Sequence, residues 1–333
     1  LGIFWAVILG CAMVFAPAVQ ANSVVEAIRV SFDVPGWIVG VIFAVIMAVV
    51  LVGGIKSISS FAEKVVPLMA LAYVIGSIFI LVKFGSNIPH VFAMIFEYAF
   101  TPMAATGGFA GSTVMLAIRW GLARGVYSNE AGMGSAPNAA ATADVSHPAK
   151  QGLVQALGVY FDTLVVCTAS AMLVLLTPGW ADSGKTGIEL IQQTLTGQLG
   201  TWTNAFMSVT VLFFAFSSII GNYFYGEINM DFISRHPAAL WIYRAFVVMM
   251  VYLGSVASLG LVWNLADLFM ALMAIVNLVA IAILGKYAFI ALDDYVSQKK
   301  RGILNPEFDP SVMPNHRGIL CWPRHKEEEI EQC

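Results

Sequence analysis

Apolar residues in this chain come in runs of twenty or so, separated by short polar stretches. A run of that length matches the hydrocarbon thickness crossed by one α-helix, about 20 residues. The pattern predicts spans over residues 3–28, 37–51, 65–84, 111–143, 154–176, 206–228, 240–259 and 262–284. The runs are too long and too uniform for the short alternating strands of a membrane barrel. Two shorter helices are expected at the membrane surface. One lies around 91–100, aromatic-rich and too short to cross; the other lies over 188–199. Turns are expected at Asp33, Pro35 and Gly36, through DVSHPAKQ at 144–151, and through TPGWADSGKTG at 177–187. The chain is 59% hydrophobic and 11% charged, against about 25% charged in soluble domains. It is therefore read as all-α and integral to a membrane.

One stretch breaks the pattern. Residues 123–143, ARGVYSNEAGMGSAPNAAATA, lie inside an apolar region yet carry Arg124, Ser128, Asn129, Glu130, Ser135 and Asn138, with Gly125, Gly132, Gly134 and Pro137. Glycine and proline loosen a helix, and lipid offers these polar groups no partner. Two readings fit. The helix is interrupted at membrane depth and faces a wet cavity, as in transporters built on broken helices. Alternatively, its small residues serve a close helix–helix contact or a re-entrant loop. The length of 111–143, beyond what a straight crossing needs, suits the first.

Other polar positions fall within the spans. PAVQANSVVEAI at 17–28 is polar for lipid, so Gln20 and Asn22 should face other helices. Ser217 and Ser218 are adjacent hydroxyls at the middle of a span, and Ser218 shares a helical face with Asn222 four residues on. Such hydroxyls either bond their own backbone one turn back or offer oxygen to a small cation. The amides of Gln20 and Asn222 suit the two ends of a zwitterion, or an ordinary interhelical bond. Asp162 is a carboxylate deep in a span. Arg119 and Arg124 are candidate partners for it or for Glu130, as an inner gate, whereas Asp267 and Glu227 read as membrane-edge residues. Asn264 and Asn277 are further polar positions in the last span.

Enzyme signatures such as HExxH, GxSxG or a P-loop are absent from the sequence, and no activity of that class is expected. The net charge of -3 and the lack of a basic face exclude nucleic acid as an expected partner. The four cysteines read as reduced thiols; Cys321, His325 and Cys333 could touch a metal ion, but nothing completes that site. No cofactor is expected. Basic residues divide unevenly between the two sides: Lys56, Lys64, Lys150, Arg235, Arg244, Lys299, Lys300 and Arg301 on one, Arg29, Lys83 and Lys185 on the other. The first side is read as cytoplasmic. Residues 1–295 then form the transmembrane domain, and 296–333 a polar, solvated or partly disordered cytoplasmic tail.

RGVYSNEAGMGSAPNAAATADVSHPAKQGL, followed by FDTLVVCTASAM, resembles the alanine or glycine:cation symporter family, the sodium:alanine symporters. AVQANSVVEAI, VGGIKSI, FFAFSSIIGNYFYGE and SLGLVWNLADLFMALMAIVNL fit it in the same order, so the resemblance covers residues 1–295. It implies a LeuT-type fold of two inverted five-helix repeats plus one helix. The chain would then hold about eight of eleven expected spans, helices three to ten, starting at Leu1 after a truncated amino-terminal part that includes the first broken helix. The resemblance also implies a monomer in a prokaryotic inner membrane, with a small neutral amino acid and sodium as its partners. Carried over by motif, the amino acid would meet Gln20, Tyr127, Ser128, Asn129, Ser218 and Asn222. Ser217 and Ser218 resemble the hydroxyl pair that helps to hold sodium. Many members carry threonine at the Ser218 position and tryptophan at the Asn222 position, so this pocket is expected to be roomier or more polar.

Overall fold

A computed structural model describes residues 2–52, 67, 71, 73–79, 81–100, 120–121, 123–125, 127–177, 180, 183–315, 319 and 322. The described residues contain helices and no strands. In chain order the helices are α1 (Gly2–Phe32), α2 (Gly36–Val52), α3 (Tyr73–Lys83), α4 (Ile88–Phe100), α5 (Ala136–Ala140), α6 (Pro148–Leu175), α7 (Gly187–Leu199), α8 (Trp202–Ile233), α9 (Pro237–Val256) and α10 (Leu259–Lys300). Five of these, α1, α6, α8, α9 and α10, are long and apolar enough to cross a membrane. The bent pair of Tyr73–Lys83 and Gly85–Glu97, with 74° between its arms, makes a sixth if taken as one span, and Gly36–Val52 is a shorter apolar helix. Much of the expected third and fourth spans, and the loop holding Lys56 and Lys64, lies outside the described residues.

The helix at the centre is α1, which packs along α8, α9 and α10. Its polar second half is turned inward, as its sequence requires. The Asn22 amide donates to the carbonyls of Gly254 and Ala257 at 2.9 Å each. Both belong to the end of α9, where carbonyls lack helical donors. The two helices can approach this closely because residue 254 is glycine: a Cβ there would lie 2.5 Å from the Ala18 backbone. One apolar core joins α1, α2, α8 and α9 through Val24, Phe43, Met47, Ile219, Tyr223 and Val247. A second joins α1 to α10 through Leu9, Met13, Met270 and Met273. Outward, α10 exposes Leu261, Leu268, Leu272, Ile275 and Ile283. Exposed leucine and isoleucine along a helix this long suit a lipid-facing surface.

Two expectations change. The helix over 187–199 is not merely a surface element. Gln192 is fully buried and donates to the Ala27 carbonyl at 3.1 Å and the Ser31 hydroxyl at 3.0 Å, and Ser208 donates to the same Ala27 carbonyl at 2.7 Å. A polar helix buries itself this way because each hydrogen bond replaces one to water. The tail is also not wholly solvated. The Phe308 amide donates to the Ser146 carbonyl at 2.9 Å. Phe308 and Met313 are buried against Ala291.

Candidate functional site

The helical residues of the fourth span end at Asn129. The next residue, Glu130, takes φ 54°, and Gly132 and Gly134 follow at φ 81° and 98°. Three left-handed residues in five cannot continue a right-handed helix. Side chains then take over bonds the helix no longer makes. Asn129 Oδ1 accepts from the Ala131 amide at 3.0 Å, and Asn138 Nδ2 donates to the Ser135 carbonyl at 2.9 Å. The buried Ser135 hydroxyl donates to the Glu130 carboxylate. The chain resumes as α5, with Pro137 in its first turn. The helix is therefore interrupted over 130–135, and within the break Gly134 also makes a close helix contact.

Three helices surround the interruption. From α1, Trp5 lies against Gly134, where a Cβ would fall 2.5 Å from the indole. From α8, Asn229 donates to Asn138 Oδ1 at 2.9 Å, and Tyr225 joins the apolar cluster containing Met133. From α10, Asn277 donates to the Gly132 carbonyl at 2.9 Å.

The six residues marked for the amino acid are not brought together as one constellation. Gln20 and Tyr127 form one part. The Tyr127 hydroxyl faces the Gln20 carboxamide. The two side chains interact there, while the buried Gln20 Oε1 has no hydrogen-bond partner among the described residues. Ser128 and Asn129 turn to α6 instead. Ser128 donates to Asp162 Oδ2 at 2.6 Å and lies 3.1 Å from Cys167 Sγ, and Asn129 donates to the Thr163 hydroxyl at 2.7 Å. All three partners lie in Asp162–Cys167, a π-helical segment of α6. Such bulges widen the turn and are frequent at functional sites.

On α8, Asn222 is 5% exposed, and its amide has no hydrogen-bond partner among the described residues. It shares a helical face with Ser218, Tyr225 and Asn229, and the last two meet the interruption and its flank. Ser218 is exposed, and Ser217 donates to its own backbone at Phe214, 2.9 Å away. Ser217 thus shows the local bonding common for mid-helix serines.

The charges pair differently from the sequence expectation. Arg124 bonds neither Glu130 nor Asp162 but forms an ion pair with Asp267 of α10. Its guanidinium lies 4.0 Å from the centre of the Trp263 ring and 5.6 Å from that of Tyr127. The Tyr127 and Trp263 rings are themselves in tilted contact at 4.9 Å. Asp267 is thus the partner of an inward-facing arginine and not a bare edge residue. Glu227, in contrast, is buried, and it is bonded to Arg244 at 3.1 Å. Opposite charges in two apolar runs were the signal for the Arg124 pair, but no local pattern says which acid meets which base. Arg119, Cys321, His325 and Cys333 lie outside the described residues. Among the described residues no three His, Cys, Asp or Glu side chains gather in a way that could hold a metal ion.

The site thus combines an interrupted helix, a buried amide oxygen without a partner among the described residues beside it, and an aromatic–ion-pair layer on one side. Comparison with known proteins agrees in kind. Residues 1–310 match the sodium:alanine symporter family. The chain is 44% identical over 306 residues to the probable sodium/glutamine symporter GlnT of Bacillus subtilis, covering 92% of this chain and 63% of that protein. It is 40% identical to the amino-acid carrier protein AlsT of the same organism, over 98% of this chain and 69% of AlsT. Identity to the sodium/proton-dependent alanine carrier protein of Bacillus sp. strain PS3 is 35%, over 92% of this chain and 71% of that carrier. The chain spans roughly two thirds of the length of these relatives. It is a multi-pass membrane protein, and it belongs to the sodium:alanine symporter family, whose members are transporters rather than enzymes.

Proposed function

We propose that this chain forms the larger part of a sodium-coupled symporter that imports a small neutral amino acid, alanine or glycine, by alternating access on a LeuT-type scaffold. The observation that carries the reading is a buried amide oxygen, Gln20 Oε1, left without a partner among the described residues where Gln20 meets Tyr127, beside a span interrupted at Glu130–Gly134. Buried polar groups are nearly always satisfied. An acceptor left open next to loosened backbone suits a solute that arrives and leaves.

In this reading Gln20 and Tyr127 meet the polar end of the amino acid, and Ser218 and Asn222 line the opposite wall. Ser128 and Asn129 act from the break itself and couple it to the π-helical segment of α6. Ser217 and Ser218 contribute oxygens to sodium, in a site completed by backbone carbonyls. The Arg124–Asp267 pair with Trp263 closes the outer side over Tyr127. Sodium and the amino acid shift the balance of outward and inward forms because they bind the two unequally. The protein works as a monomer in a prokaryotic inner membrane. Its Lys150 and Lys299–Arg301 end faces the cytoplasm, as the distribution of basic residues favours.

The test is uptake of labelled alanine by the full-length protein reconstituted in liposomes. Uptake should rise with an inward sodium gradient. The same rate without sodium would remove the coupling.

One observation favours a second reading of the substrate. Asn222 is 5% exposed and carries an amide on the face of α8 that leads to the break, and a relative at 44% identity is described as a probable sodium/glutamine symporter. A side-chain amide on the solute would satisfy Asn222 in both directions, since each amide donates and accepts. In a competition panel, glutamine displacing alanine tenfold better than glycine does would establish this version. Asn222→Leu should then lower glutamine affinity about tenfold and spare alanine. A proton in place of sodium is the remaining alternative, with Asp162 as its acceptor. It predicts uptake driven by a pH gradient alone.

A further inference from the structure

We propose that Asn277 of α10 is a positioning residue for the transport site: its amide fixes the interrupted backbone of the fourth span in the register that binds the solute. This inference rests on reading the interruption as part of that site.

The buried face of α10 is a stripe, Val262, Ala266, Met270 and Met273, at helical spacing. Asn277 continues this stripe by one more turn. It is the polar member at the level of the break, while the residue beside it, Leu278, is exposed and apolar. An amide at this depth needs a partner from protein. Asn277 finds one in the Gly132 carbonyl, 2.9 Å away. The contact is tight on its other side as well. A Cβ on Gly134 would lie 2.7 Å from the Asn277 carboxamide carbon. Asn277 thus holds one glycine of the break by hydrogen bond and meets the other by contact.

The same helix grips the span a second time. Asp267 and Trp263 hold Arg124, which precedes the break, while Asn277 holds Gly132 within it. Tyr127, Ser128 and Asn129 lie between these two points. A segment fixed on both sides by one rigid helix has little freedom to slide or rotate. Of the two anchors, only Asn277 touches the backbone that is not helical. Its loss should release the loosened residues and leave the flanking helix held by Arg124.

The experiment compares Asn277→Leu, which keeps the branched shape but has no donor, with Asn277→Gln, which keeps the donor. The full-length protein is used, in liposomes for uptake and in detergent for amide exchange. Asn277→Leu should raise KM for the amino acid about tenfold, the effect of a lost bond that leaves a buried carbonyl unsatisfied, with Vmax within about twofold of wild type. Exchange of the amides over 131–138 should quicken in the same variant. Asn277→Gln should recover at least part of both effects. A wild-type KM and wild-type exchange in Asn277→Leu would overturn the proposal. So would equal loss of folded protein in both variants, which would mark Asn277 as ordinary packing. If the wild-type protein carries no amino acid at all, the transport reading fails. The exchange data then still decide whether Asn277 holds the break.

Discussion

At the scale of single residues, Gly134 is the most constrained position in the site. Its φ of 98° lies where side chains are strained, and a Cβ would fall 2.5 Å from the Trp5 indole and 2.7 Å from Asn277. Both costs act on Gly134→Ala, which should destabilise the protein by about 2–4 kcal/mol. Thermal unfolding in detergent measures it, and Trp5→Ala in the same background should recover only the indole's share of the steric part, since the Asn277 contact and the backbone strain remain. The Arg124–Asp267 pair has side chains 30% and 43% exposed, so its break is discounted from the buried-pair cost to about 1–2 kcal/mol. Asp267→Asn should show that loss. Arg124→Lys keeps the charge but gives up the planar stack on Trp263, so it should restore little. A double-mutant cycle with Trp263→Leu separates the ring contact from the ion pair.

At the scale of elements, short polar contacts fix where helices begin, end and meet. Asn22 is bonded to two carbonyls at the end of α9. Asn22→Leu removes both bonds and should cost about 1–3 kcal/mol, read as a lower unfolding temperature with faster exchange near residue 257. At the other end of the molecule, His147 is fully buried and caps α6, accepting from the Ala149 amide at 3.1 Å. Its other ring nitrogen lies 3.2 Å from Asp294 of α10, and the rings of Tyr295 and Phe308 meet it in edge contacts. Gln298 bonds the backbone of Glu307 in both directions. The tail is thus stitched to α10 and to the start of α6. Phe308→Ala should free it: protease cleavage between residues 302 and 313 should become fast, at a cost of about 3 kcal/mol if the pocket does not refill. Unchanged cleavage would mean that the backbone bonds alone hold the tail.

At the scale of the whole molecule, α1 is the common partner of α8, α9 and α10, and its half-buried length ties the apolar cores together. This part of the architecture was legible in advance. Gln20 and Asn22 within an apolar run demanded helical neighbours, and Asn22 found one. The interruption at 130–135 was legible too, since glycines next to Asn129, Glu130 and Pro137 offer a helix little and a loosened backbone much. The family was readable from the same stretch. What could not be read was the division of that stretch between neighbours. Tyr127 faces Gln20, while Ser128 and Asn129, the next two residues, turn to α6. Adjacent helical residues point about 100° apart, so membership of one motif does not put side chains in one pocket.

The sequence by itself determined the helical class, the extent of several spans, the membrane as solvent and the place where the fourth span fails. Each is a local property: twenty apolar residues need a hydrogen-bonded helix in lipid, and glycine, asparagine and proline weaken that helix wherever they cluster. Only the tertiary structure decided that Arg124 meets Asp267, that Asn277 meets Gly132 and that Phe308 meets His147. These partners lie 143, 145 and 161 residues apart. Their pairing depends on how each helix is rotated and where helices cross, which the packing of the assembled molecule sets and no local stretch carries.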